Sequence, residues 1–265
     1  MANAQTATEA FDIGRVINRA ISVIGQNFLT FFVLAALLTV PILLFTFANM
    51  WLPLLGPRYS LSFGTPGSAV AVIAGGLAGL FIYFLFTNLL QAAITQGTIV
   101  SLNGGHASFG ECLATGIRNA LPLTAIGVLA ALGILGGFLL LIVPGVIFSL
   151  MWRVIMPVRV AEQTGITATL ARSADLTRGH RGAIFLLDIM VGVLAAVLGL
   201  VIRPLAGLSL LATVSTATPV TFIVLTAVVR IVTYMIGATM VASIYYELRV
   251  IKEGVGPEQL AAIFS

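Results

Sequence analysis

The sequence predicts an all-α membrane protein with six transmembrane helices, and three observations carry that prediction. Of the 265 residues, 59% are hydrophobic, against roughly 45–50% in an ordinary soluble domain. Only 8% are charged, against about 25% in a soluble domain, too few to clothe a water-facing surface. The apolar residues are also gathered into continuous runs near the ~20 residues that cross a hydrocarbon core as a helix. A transmembrane barrel would alternate apolar and polar positions instead. At this length one membrane domain over 1–265 is the natural unit, with no room for a catalytic domain of ordinary size beside it.

The chain opens with an amphipathic segment over 1–27. Phe11, Ile13, Val16, Ile17, Ala20, Ile21 and Ile24 recur at helical spacing between Asp12, Arg15, Asn18 and Arg19, the pattern of a helix lying on a membrane surface. Glu9 and Asp12 beside two arginines do not read as a secretory signal, and the following run is too long for one. Span one is expected at 28–52 and span two at 69–99. A second surface helix is expected at Phe109–Asn119 before span three at 121–143, which only Pro144-Gly145 separates from span four at 144–161. A third surface helix is expected at Ile166–Arg178 before span five at 183–202. Span six covers 219–246, within a bundle over 28–248. The tail 249–265 is cytoplasmic and ends in a short helix opened by Pro257. The layout is compatible with three copies of one unit, a surface helix followed by a hairpin. Gly75 with Gly79, Gly133 with Gly137, and Gly192 with Ala196 form small-xxx-small pairs, which either pack helices closely or line a cavity.

The net charge of +4 is carried almost wholly by arginine, since Lys252 is the only lysine. With the N-terminus cytoplasmic, Arg15, Arg19, Arg118, Arg159, Arg172, Arg178, Arg181, Arg249 and Lys252 lie inside and only Arg58 and Arg203 outside. The positive-inside rule therefore places both termini in the cytoplasm. Trp51 and Tyr59 outside, and Tyr245-Tyr246 inside, suit interfacial anchors. No dense basic run points to nucleic acid. Cys112 is the lone cysteine, and His106 and His180 fall in polar stretches, so no metal site and no cofactor are expected.

Charges within the spans need a reason, because each costs at least ~2.5–3.5 kcal/mol at mid-depth. Arg230 is about 16 Å from Pro219 at helical rise, Arg153 is comparably deep in span four, and Asp188 sits nearer the cytoplasmic face. These three either line a cavity for an anionic head group, pair with one another, or snorkel to an interface. A second cluster, Glu162, Arg172, Arg178, Arg181, Glu247 and Arg249, lies at the cytoplasmic face. It either clips the third surface helix to the bundle or forms a basic patch for lipid head groups.

Three stretches carry a resemblance. They are "IVPGVIFSLMWRVIMPVRVAEQTG", "ATLARSADLTRGHRGAIF" and "YYELRVIKEG". In layout and in these residues the chain resembles the bacterial membrane domain named after glycerophosphoryl diester phosphodiesterases, a six-span inner-membrane family. The matching positions are Pro144-Gly145, Trp152, Pro157, Glu162, Arg172, Ser173, Leu176, Thr177 and Gly179, then Tyr245, Leu248 and Arg249. Arg153 departs from the small or polar residue expected after the family's Trp. The resemblance implies a membrane domain without the metal-dependent catalytic barrel that some members carry, hence no enzyme. The expected function is a lipid- or partner-binding accessory component of a bacterial inner membrane, with membrane lipids, a membrane protein or a second copy as partner. The alternative is a transporter or exporter of an anionic amphiphile. A transporter calls for broken helices near mid-membrane and a cavity at the charged residues. A scaffold calls for a packed bundle with an exposed apolar groove.

Overall fold

The computed structural model describes residues 11–51, 66–205 and 220–254, all helical apart from short turns. The order is α1(Ile13–Trp51), α2(Pro66–Leu102), α3(Phe109–Leu140), α4(Ile142–Met151), α5(Ile155–Glu162), α6(Ile166–Thr177), α7(Arg181–Leu205) and α8(Val220–Glu253). Six stretches are long and apolar enough to cross a membrane, with α4 and α5 together forming the fourth. The chain is thus an all-α, multi-pass membrane protein. The expectations at Tyr59, Arg58 and the helix over 256–265 lie outside the described residues, and the side chains of Trp51 and Arg203 are likewise not described.

The amphipathic N-terminal segment and span one form a single helix, kinked at the expected boundary. Asp12 starts it, its Oδ1 accepting the N–H groups of Gly14 at 2.8 Å and Arg15 at 3.2 Å. Asn27 then leaves helical geometry at φ −121°, ψ 23°. Its amide donates to the Val23 carbonyl and to the Ser101 hydroxyl, and its Oδ1 accepts from the Ala107 N–H. A side chain that bonds both to its own helix and to two neighbouring segments competes with the helical ladder, and the helix bends there. The segment before the kink does not lie apart on a membrane surface. Val16 and Ala20 are buried with Ile244, Tyr245 and Leu248 of α8, so α1 and α8 pack on both sides of the bend.

The second amphipathic segment is not a separate helix. It is the first third of α3, which runs unbroken through Pro122. Its inner face is covered by α2, where Gly116 lets the Leu89 carbonyl approach: a Cβ built there would meet that oxygen at 2.9 Å. The third segment, α6, does stand alone, ended by Gly179 at φ +91°, a conformation glycine adopts without a Cβ penalty.

Span four departs from the expectation of one helix. It breaks at Trp152–Val154 into α4 and α5, and Pro157 explains where. Proline has no N–H for the carbonyl four residues back, here that of Arg153, and its ring crowds that oxygen. The chain turns through the gap with longer bonds, from the Arg153 N–H to the Leu150 carbonyl and from the Ile155 N–H to the Trp152 carbonyl, both 3.4 Å.

Of the small-residue pairs, Gly133 with Gly137 packs helices. A Cβ at Gly133 would lie 2.5 Å from the Trp152 ring, and one at Gly137 would lie 3.0 Å from the Gly145 backbone. Leu141, extended at φ −165°, makes the turn between α3 and α4. Gly75 and Gly192 have nothing within 4 Å. Leucines 139, 140 and 141 are exposed, as the far tip of a membrane hairpin requires. Around them the bundle closes by α2 on α1, α3 and α8, and by α7 on α4 and α8.

Candidate functional site

Polar side chains meet at three levels. At the charged end, Glu247 of α8 is fully buried, which an ionised carboxylate tolerates only when paired. Arg15 Nε lies 2.9 Å from its Oε1, and Arg19 bonds its Oε2 while stacking over the Tyr246 ring with its guanidinium carbon 5.0 Å from the centroid. The amphipathic segment of α1 thus supplies both countercharges.

Beside it a second network joins three elements. Arg172 of α6 holds Glu162 of α5 with Nε 3.0 Å from Oε2, and also reaches Glu253 of α8. Arg249 Nε pairs with Glu253 at 2.8 Å, and the Tyr245 hydroxyl donates to Glu162 at 3.0 Å while accepting from Arg249 at 3.3 Å. Lys252 donates to the Asp175 carbonyl near the end of α6. Ser173 completes the join, because its hydroxyl donates at 2.8 Å to the Met151 carbonyl, at the end of α4 where the break begins. Thr177 lies 3.5 Å from the same oxygen and bonds the Ser173 carbonyl at 3.0 Å. The motif residues Glu162, Arg172, Ser173, Thr177 and Arg249 therefore converge. Gly179 sets the turn that follows, and Glu247 belongs to the neighbouring pair. Tyr245 and Tyr246 are buried in these contacts rather than displayed as interfacial anchors. Arg178 is exposed and Arg181 half-buried, and neither forms an ion pair among the described residues. His180, between them, packs on the Phe11 ring, and its pKa is lowered by burial and then by Lys252.

Deeper, Arg153 and Asp188 pair: Nε and an Nη of the arginine each lie 2.8 Å from Oδ1. Arg153 sits in the break, one residue after the Trp152 that packs on Gly133 of α3. From Leu121 to Leu141, α3 rises ~30 Å, so the level of Gly133 is near mid-depth. The side chains keep 34% and 27% exposure, and the pair neutralises itself within the bundle wall.

Arg230 joins neither network. Its helix has 34 residues, ~51 Å at helical rise, more than the ~30 Å hydrocarbon thickness, so depth must be counted from a fixed level. Tyr245 bonded to Glu162 marks the charged end, and Arg230 lies 15 residues from it, ~22 Å. That places Arg230 in the far half of the membrane rather than close to its middle. One turn on, the Tyr234 hydroxyl meets that of Tyr83 in α2 at 2.9 Å.

Away from these charges a groove of about 270 Å³ opens between α2 and α3, lined by Leu77, Leu80, Phe81, Phe84, Thr124, Val128, Ala131, Leu132 and Leu135. Sequence reasoning did not single out this groove, the Asn27 junction, or Arg15 and Arg19 as partners of Glu247. For the first, a wide apolar face on both helices is common to every lipid-facing segment, so periodicity carries no mark of it. Among the described residues no three of His, Cys, Asp and Glu are grouped to hold a metal ion. Comparison with protein-family models, with curated proteins and with solved structures finds no match.

Proposed function

We propose that this integral membrane protein is a non-enzymatic, lipid-binding component of a bacterial inner membrane, with both termini cytoplasmic. The observation that carries the reading is the α2–α3 groove. Its walls are almost wholly apolar, with Leu77, Leu80, Phe81, Leu132 and Leu135 all more than half exposed. Its about 270 Å³ is just below the ~300 Å³ at which small-molecule pockets begin, a size for a stretch of acyl chain. Lipid tails are as apolar as the groove, so retention comes from shape and dispersion rather than from expulsion of water. The charged networks support a structural role, since Glu162, Asp188, Glu247 and Glu253 are each held by an arginine. The convergence of Glu162, Arg172, Ser173, Thr177 and Arg249 supports reading the resemblance to the phosphodiesterase-associated membrane domain as one of scaffold rather than of catalysis.

Native mass spectrometry of the full chain released from mild detergent tests this. Wild type is expected to retain phospholipid, and Ala131→Trp, which fills the groove, to lower the retained lipid severalfold without unfolding the bundle. Equal retention by the two proteins would remove the groove from the reading.

The second reading, a transporter or exporter of an anionic amphiphile, is favoured by the broken fourth span with an ion pair at the break. The same protein in liposomes, assayed for lipid movement between leaflets, decides between the two.

A further inference from the structure

Arg230 is a charged side chain within the far half of the bundle, and among the described residues no carboxylate pairs with it. The deeper cation, Arg153, has Asp188. The half-buried guanidinium of Arg230 carries five N–H donors in a planar fork. In hydrocarbon it is costly unless an anion or an interface receives it.

The groups nearest along the fold are also donors. Tyr234 is one turn away on α8, and its hydroxyl pairs with that of Tyr83 at 2.9 Å. Between two hydroxyls only one proton lies on the oxygen–oxygen line, so the accepting tyrosine keeps its own proton free to donate outward. One turn from Tyr83 along α2, Thr87 adds a further hydroxyl beside Tyr234. A fixed cation flanked by hydroxyl donors, with no carboxylate beside it, is chemistry that accepts a tetrahedral oxyanion and repels a cation. Position selects the oxyanion. At ~22 Å from the charged end, and with a long apolar stem that lets its head rise towards the interface, Arg230 comes within reach of the phosphate layer of the far leaflet.

We propose that Arg230, with Tyr83 and Tyr234, binds the phosphate of an anionic phospholipid of the far leaflet. The inference rests on the lipid-binding reading above and adds to it the class of head group. The site lies on the α2–α8 seam, on a face of α2 separate from the acyl groove.

The test uses the full chain reconstituted in equimolar phosphatidylglycerol and phosphatidylcholine, extracted in uncharged detergent, with both lipids counted by native mass spectrometry. Wild type is expected to retain the glycerol lipid about fivefold over the choline lipid, the ratio one basic residue supplies near an anionic head group. Arg230→Gln is expected to bring the ratio to about one while total lipid stays constant. Arg230→Lys is expected to keep most of the preference, and Tyr83→Phe with Tyr234→Phe to lose part of it in a protein whose charge is intact. A preference unchanged in Arg230→Gln means that the arginine only snorkels, and overturns the site. If Arg230→Gln does not fold, an unchanged preference in the double tyrosine variant overturns it instead. Retention of lipid with no head-group preference in wild type also overturns the site while leaving the groove reading intact, whereas absence of any retained lipid overturns both. Millimolar inorganic phosphate that stabilises wild type but not Arg230→Gln supports the oxyanion chemistry and assigns its source to solvent rather than lipid.

Discussion

Glu247 has no solvent exposure, and Arg15 and Arg19, both on the first helix, neutralise it from one side. The two kinds of partner are not equivalent. The guanidiniums keep 33% and 25% exposure and can turn to water when the carboxylate is gone, but Glu247 cannot follow them out. Arg15→Leu with Arg19→Leu therefore strands a buried charge and is expected to cost ~3–5 kcal/mol. Glu247→Gln, which keeps an acceptor and leaves two cations near solvent, is expected to cost only about 1–3 kcal/mol. Unfolding of both variants in detergent micelles, read by near-UV circular dichroism, checks the asymmetry, and equal costs would contradict it. At this scale the sequence was legible where a residue's own type announces its need. Glu162 and Arg249 are charges at span ends and Arg172 lies on the surface helix between spans, and each is found paired. What it could not show was who answers whom: Arg19 and Glu247 are 228 residues apart, and no local pattern links them. Asn27 was missed for a related reason, because one asparagine at a helix-to-span boundary looks like any polar boundary residue until its two neighbours are in place.

Elements were legible to the extent that one helix explains its own ends. The kink at Asn27 falls where the amphipathic pattern yields to the apolar run, and α6 begins at the predicted Ile166 and ends one residue before the predicted Arg178. The break at Trp152–Val154 was present in the sequence as Pro157, but its meaning depends on α6, whose Ser173 takes up the Met151 carbonyl there. The first part of α3 went astray because amphipathicity does not say which surface covers the apolar face, a membrane or another helix, and here it is α2. Glycine shows the same limit. Gly133-x-x-x-Gly137 and Gly192-x-x-x-Ala196 are alike on paper, yet Trp152 fills the space above Gly133 while Gly192 has nothing within 4 Å. Gly133→Ala is accordingly expected to destabilise by about 1–3 kcal/mol as the ring is displaced. Gly192→Ala is expected to stabilise by up to ~1 kcal/mol through helix propensity alone. Paired unfolding titrations of the two variants read the difference, and a loss at Gly192 comparable to that at Gly133 would show that its open face is packed in the membrane.

Across the whole molecule the polarity of the ends is unequal. Arg15, Arg19, Arg172, Arg249 and Lys252 gather at one end with Glu162, Glu247 and Glu253, and the net field of that end is weaker than a count of arginines suggests. Orientation does not follow the net field. It follows the number of Lys and Arg near the span ends, to which acidic residues contribute little, so the internal ion pairs leave the topological signal whole. The seventh helix shows why the signal matters: only 11% of its membrane-length window is buried, and Ile184, Leu187 and the Arg153–Asp188 pair are its main ties to the bundle. For a helix so lightly held, the arginines around the α6–α7 turn are expected to set orientation more than packing does. Cysteine accessibility reads the outcome. Cys112 is buried, so in a Cys112→Ser background Ser108→Cys, exposed at the start of α3, is expected to react with a membrane-impermeant maleimide only in inverted vesicles. Ser60→Cys, between spans one and two, is expected to react only in intact spheroplasts. The reverse pattern would invert the protein and with it the leaflet assigned to Arg230, while labelling of both sites from one side would break the six-span count.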